Sequence, residues 1–178
     1  FVAAFLSLFL EPEKAEEILR CMHTDPKFIP GYWASEAVGF ATDANVFGDL
    51  LAERHPDLAA HLQRCAMLPE MYCQKWFTSL CVHVLSFENL FAFWDRFFRR
   101  GYPFLFQFAL ALMDALKDRM MATNNPGELL ALLRLDKEAL GDDFDCGKVI
   151  RSADNIDVSG YDFDARSCGR GLLHRQKP

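Results

Sequence analysis

The sequence predicts an all-α domain, and three observations carry that prediction. Residues 71–112 form a nearly unbroken apolar stretch whose large side chains recur at helical spacing. Proline, glycine and paired basic residues interrupt it where helices start and stop. Finally, 178 residues at 51% hydrophobic content suffice for one buried core.

Taken from the start, residues 1–10 are all apolar or small and read as a buried helix. They fall short of the roughly 18 residues that a membrane span needs, as does every other apolar run. No positive region precedes them, so a signal peptide is not indicated. There is no initiator Met, and the first helix is expected to begin upstream, in a longer protein. Glu11-Pro12 restarts the chain, and Pro12 suits the first position of a helix over residues 13–22. Glu13, Glu16 and Glu17 stand early in it and Arg20 late, in accord with the helix dipole. Residues 24–42, with Asp25-Pro26, Pro30-Gly31 and Gly39, read as a long connection rich in breakers. Asp43 is placed to cap a helix reaching about Glu53, with Val46, Phe47, Leu50 and Leu51 on one face. Pro56 opens a short helix through Arg64, with Leu58 and Leu62 inward.

Pro69 opens the first of three central blocks, which carries Trp76, Leu80 and Val84 and ends in a turn. Ser86 is an N-cap for the second block, in which Leu90, Phe91, Trp94, Phe97 and Phe98 are apolar. Gly101 stops it after Arg99 and Arg100. Pro103 starts the third, which runs to about Met121. Asn124-Asn125-Pro126-Gly127 is a stop, and residues 128–135 make one more short helix. From residue 138 Asp, Gly, Ser and Arg dominate. The expected organisation is therefore a domain over residues 1–137 and an irregular or disordered polar tail over residues 138–178.

A net charge of −6 and a pI near 5.3 argue against nucleic acid and against an anionic membrane surface as partners. Of the cysteines Cys21, Cys65, Cys73, Cys81, Cys146 and Cys168, no two make a C-x-x-C pair. They read as reduced residues of a cytosolic core, with no metal site and no disulfide framework. Residues 155–160 imitate half of a calcium loop, but position twelve is Arg166 where a bidentate Glu is needed, so they are assigned to the polar tail. Cys81 and His83 lie two apart in an expected helix and cannot meet there. No phosphate loop, Ser-His-Asp arrangement or paired-carboxylate motif is present, and neither a cofactor nor a self-contained enzyme is expected. Asp95 has two readings, as an ion pair with Arg99 one turn on or as a carboxylate that holds a partner.

The order of residues then resembles a known family. Gly39-Phe40-Ala41-Thr42-Asp43-Ala44-Asn45-Val46-Phe47 continues through Leu50-Leu51 to Pro56-Asp57-Leu58 and His61-Leu62. This is similar to the TBC-domain pattern of an Asp, a Val-Phe, a Leu pair, a Pro-x-Leu and a His-Leu. Lys75-Trp76-Phe77 and Phe93-Trp94-Asp95 resemble that domain's Trp-Phe and Trp-Asp helices, and Phe104-Leu105-Phe106 its following helix. Residues 1–6 resemble the helix after the family's Tyr-x-Gln-Gly motif. The resemblance covers residues 1 to about 135. It implies a multi-helix orthogonal bundle, the C-terminal part of an activator of Rab-family GTPases, which binds the GTP-bound Rab. Such activators are cytoplasmic and reach membranes through the GTPase. They supply an Arg and a Gln in trans to the nucleotide site, and both motifs would lie upstream of Phe1. Gln63, Gln74 and Gln107 lack the family's setting, so the resemblance implies no catalytic residue here. Asp43, Trp76, Phe77, Trp94 and Asp95 fall on motif positions and are candidates for partner binding. Tyr32 and Trp33, read as exposed in the long connection, are the other candidates. A catalytically inactive TBC-like scaffold is the alternative within the same fold.

Overall fold

A computed structural model of the chain describes residues 1–30, 32–34 and 36–161, and within them it is all-α with no strand. In chain order the helices are α1 (Val2–Leu6), α2 (Pro12–Thr24), α3 (Glu36–Arg54), α4 (Pro56–Arg64), α5 (Pro69–Tyr72) and α6 (Gln74–Phe77). They continue with α7 (Phe87–Arg100), α8 (Pro103–Met121), α9 (Pro126–Leu133), α10 (Lys137–Leu140) and α11 (Cys146–Ser152). Pro12, Pro56, Pro69, Pro103 and Pro126 each stand at a helix start, where the missing N–H costs nothing. The core is built on α8, which is apolar around most of its circumference and is surrounded by α3, α4, α6, α7, α9 and α11. A helix patterned in that way has no polar side to give to water and must lie in the centre.

The connection between α2 and α3 wraps the corner where α7 turns into α8. Two 3-10 turns, Pro26–Phe28 and Tyr32–Ala34, shape it. The Lys27 carbonyl accepts the Tyr102 N–H at 2.9 Å, and Lys27 Nζ donates to the Phe98 carbonyl. Gly101 makes this possible: its φ of 78° and ψ of −157° lie in territory left to glycine, and its bare Cα lets the Lys27 backbone come close.

Four expectations are corrected. Helix α3 begins at Glu36, so Asp43 is not a cap but a fully buried mid-helix carboxylate, to which the Tyr102 hydroxyl donates from the α7–α8 corner. The first central block is not one helix. It breaks into α5, α6 and an irregular buried turn, with Leu80 and Cys81 at φ 44° and 62°, and the Cys81 N–H reaches back to the Lys75 carbonyl. The opening helix is also short, ending at Leu6 before a run of turns. Beyond residue 138, where irregular chain is expected, α10 and α11 form. Asp145 caps α11 by accepting from the Lys148 N–H, and α11 docks on α7 and α8 through Val149 and Ile150. Within the calcium-like stretch, Asp157 accepts from the Ser159 N–H and hydroxyl, a local turn. Residues 162–178, including Arg166 and Cys168, lie outside the described part.

Cys73 and Cys81 are wholly buried, and burial pushes both thiols up, well above the ordinary thiol range. A polar lock joins the other end of α8 to α3 and α4. Arg54 donates twice to Asp114, at 2.8 and 2.6 Å, and His55 Nε2 donates once at 2.6 Å, while Lys117 pairs with Asp57 at 2.8 Å. Burial works against ionisation of Asp114, yet the hydrogen bonds from Arg54 and His55 outweigh it and hold the carboxyl below its usual range. A carboxylate depressed by folding stabilises above its unfolded pKa of about 3.9, and that contribution is lost as pH falls through the folded value. Asp114→Asn is therefore expected to cost about 1 kcal/mol at neutral pH. It should also flatten the loss of stability between about pH 5 and pH 2. Urea midpoints taken across that range check it; an unchanged acid slope would sink the assignment.

Candidate interaction face

Helix α7 has two sides with separate tasks. Ser86 begins it in an extended conformation, Glu88 sits in its positive first turn, and Arg99 and Arg100 sit in its negative last turn. Its inner side is Leu90, Phe93, Trp94 and Phe97, all buried. On the outer side Phe87, Phe91, Asp95 and Arg99 are spaced four apart and so form one line along the helix. Phe87 is 63% exposed and Phe91 48%. Phe9, from the turn after α1, is 52% exposed and brings its ring to 5.4 Å from Phe91 and 6.1 Å from Phe87, with the exposed Leu8 beside it in sequence. Phe5 lies beneath, 6.1 Å from each of the two α7 rings. The rings of Phe5, Phe9, Phe87 and Phe91 thus make a contiguous apolar patch, and Phe1 stands edge-on to His83 at 4.3 Å.

The other end of the line is cationic. Asp95 and Arg99 form an ion pair along the helix. Behind them Arg96 and Arg100 converge on Asp154, each at 3.1 Å, around a shallow cavity of about 360 Å³ that Arg99 also borders. Three guanidiniums against two carboxylates leave one positive charge in excess, on a chain of net charge −6. Arginines in this setting suit planar carboxylates of another chain. The face as a whole offers apolar contact at one end and charge recognition at the other.

Among the seven candidate residues, only Asp95 lies on this face. Trp94, beside it in sequence, points inward, 5% exposed, and its indole N–H donates to the Leu80 carbonyl at 2.9 Å, holding the irregular turn before α7. Trp76 and Phe77 belong to one buried aromatic cluster with Phe47, Tyr72 and Phe106. Asp43 and Tyr32 both meet Tyr102, the first through the hydroxyl and the second with ring centroids 5.4 Å apart. Tyr32 is buried and Trp33 half-buried against Phe97, so the reading of an exposed aromatic pair in the connection is corrected. The clamp at Lys27 turns both rings inward. Sequence reasoning did not single out Phe87 or the Arg96–Arg100–Asp154 cluster, and it grouped Phe91 with the apolar residues of the block without separating it from the buried ones. The signal was available in the fourfold spacing of Phe87, Phe91, Asp95 and Arg99, since α7 carries more aromatic residues than one helical face can hide.

The fold alone places the chain among all-α domains, and comparison with known proteins narrows this to one family. The chain belongs to the Rab-GTPase-TBC domain family, whose model matches residues 1–121, that is, α1 through α8. Carabin of Mus musculus is 35% identical over 136 residues, covering 75% of this chain and 30% of that protein. Growth hormone-regulated TBC protein 1 of Homo sapiens is 28% identical over 127 residues, covering 71% of this chain and 38% of its own length. TBC1 domain family member 10B of Homo sapiens is 30% identical over 112 residues, or 63% of this chain and 14% of that protein. The chain thus spans well under half the length of each of these relatives. Among the described residues no helix is long and apolar enough to cross a membrane.

Proposed function

We propose that this chain is part of a GTPase-activating protein for a Rab-family GTPase and that the outer side of α7 contributes to its partner-binding surface. Family membership is the observation that carries the first part, and the exposed line from Phe87 to Arg99 carries the second. In this reading Asp95 and the arginines beside it meet the GTP-bound Rab. Tyr32, Trp33, Asp43, Trp76, Phe77 and Trp94 act through the core, by fixing the helices that carry the surface. The Arg and Gln that act on the nucleotide come from a part of the longer activator outside residues 1–178, and the apolar patch of Leu8, Phe9, Phe87 and Phe91 receives that part. The chemistry is phosphoryl transfer, in which the Arg offsets charge developing on the transferred phosphate and the Gln orients the attacking water. The protein works in the cytoplasm and meets membranes through its GTPase.

The test is GTP hydrolysis by a panel of Rab proteins with the longer activator. The cognate Rab should be accelerated roughly 10³–10⁵-fold. Asp95→Lys should raise KM for the Rab while leaving kcat in place, because it touches binding and not the nucleotide. Binding without acceleration would replace the activator reading with the inactive scaffold. An unchanged KM in Asp95→Lys would remove α7 from the contact.

A further inference from the structure

At the charged end of α7 one acidic group is already held by the chain itself. Asp154 sets its carboxylate between Arg96 and Arg100, 3.1 Å from each, and its carbonyl accepts from Arg100 at 3.2 Å. It belongs to the 3-10 turn after α11, Ala153–Asn155, outside the residues 1–121 that match the family model. This segment does not need the carboxylate to stay in place. Val149, Ile150, Ala153, Ile156 and Val158 are buried in the core, and Gln107 Nε2 donates to the Ile156 carbonyl at 2.6 Å. Ion pairs as open as the one between Arg100 and Asp154 add little to stability.

The way the arginines hold Asp154 indicates what the cavity takes. Two guanidiniums grip one carboxylate, and the cavity of about 360 Å³ continues past it to Arg99. Arg96 donates to Asp154 and to the Ala92 carbonyl, and Arg99 to Asp95. A guanidinium carries more N–H groups than these partners use, so donors remain for another chain. Arg96, Arg99 and Arg100 against Asp95 and Asp154 leave one positive charge. One further carboxylate neutralises it, whereas a phosphate dianion would reverse it. A second carboxylate entering beside Asp154 meets a like charge. Asp154 can give way by turning its side chain to water, because the buried residues on either side hold the backbone.

We propose that this cavity is a carboxylate-exchange site, in which an aspartate or glutamate side chain of the partner GTPase takes the place of Asp154 on Arg96 and Arg100. This rests on the GTPase-binding reading of α7 and adds the partner's chemical group and its internal competitor. Asp154 lowers the affinity of the face for any acidic group that cannot displace it. The test is phenylglyoxal labelling of the arginines in the longer activator, mapped by mass spectrometry, with a hexaglutamate peptide as probe. The peptide should protect Arg96, Arg99 and Arg100 above the other arginines, and hexaglutamine should not. Asp154→Asn removes the competitor, so the half-protecting concentration should fall about two- to five-fold, on the scale of one exposed ion pair. KM for the cognate Rab should fall by a similar factor. Asp154→Ser should act alike, and an unchanged circular dichroism melting curve confirms that the variants fold. A rise in either value would make Asp154 a positioning residue and overturn the proposal. Uniform protection, values indifferent to Asp154→Asn, or inorganic phosphate protecting at lower concentration than the peptide would overturn it as well. Selective protection with no Rab accelerated would leave the carboxylate site standing and remove the activator reading. Acceleration without selective protection would remove this site alone.

Discussion

A Phe93→Ala variant is expected to lose about 3–5 kcal/mol of stability, the range for emptying a large aromatic site in a packed core. Phe93 has no exposed surface, and its ring lies 4.9 Å from Phe108 and 5.4 Å from Phe104, joining α7 to the central helix α8. Neither neighbour can follow the deleted ring inward, because each is itself fully packed. Phe91→Ala, two residues away on the same helix, should cost less than about 1 kcal/mol, since nearly half of that side chain already faces water. Chemical denaturation of the two variants side by side checks the assignment of faces. Equal losses would mean that α7 is rotated from the orientation described above, and the interaction face would fall with it.

Gly101→Ala should be nearly as damaging, at about 2–4 kcal/mol, for two reasons that can be separated. A side chain in this backbone region costs about 1–3 kcal/mol wherever it occurs. Here its Cβ would also stand 2.5 Å from the Lys27 carbonyl oxygen, forcing apart the bond between that carbonyl and the Tyr102 N–H. Gly141 is the internal control. Its φ of 70° imposes the same kind of strain, but nothing lies within 4 Å of the added carbon. Gly141→Ala should therefore show the strain alone, and the difference between the two variants measures the clamp on the α7–α8 corner. If the two variants are equally destabilised, the connection before α3 is not held there.

Helix boundaries that rest on local chemistry were legible in the sequence. Pro56, Ser86, Gly101, Pro103 and Asn125 mark starts and stops that the structure keeps, and α7 and α8 run as their punctuation requires. The order of motifs was legible too, since it pointed to the family that matches residues 1–121. What depends on distant residues was not. Asp43 carries an N-cap signal, but its mid-helix burial is accommodated by Tyr102, 59 residues on. Trp76, Leu80 and Val84 keep a helical period through a segment that is not a helix. A fully buried stretch owes its spacing to packing as much as to backbone, and the turn is held from outside by Trp94. Helix α11 has too few apolar residues to announce itself, and Val149 and Ile150 are buried only because α7 and α8 offer them a place. Among the candidate residues, the ion pair of Asp95 with Arg99 could be read because it follows from local spacing. The burial of Tyr32 could not, because it follows from the clamp at Lys27.

The division of α7 into two sides also bears on how such a protein diverges. Phe93, Trp94 and Phe97 are fixed by their neighbours, and a change at any of them disturbs several helices at once. Phe87, Phe91, Asp95 and Arg99 touch little of that interior, so their side chains can drift with almost no penalty to folding. Under the function proposed above, partner choice is then set by four positions on one rigid rod, and substitutions there change what is bound while the scaffold beneath stays the same.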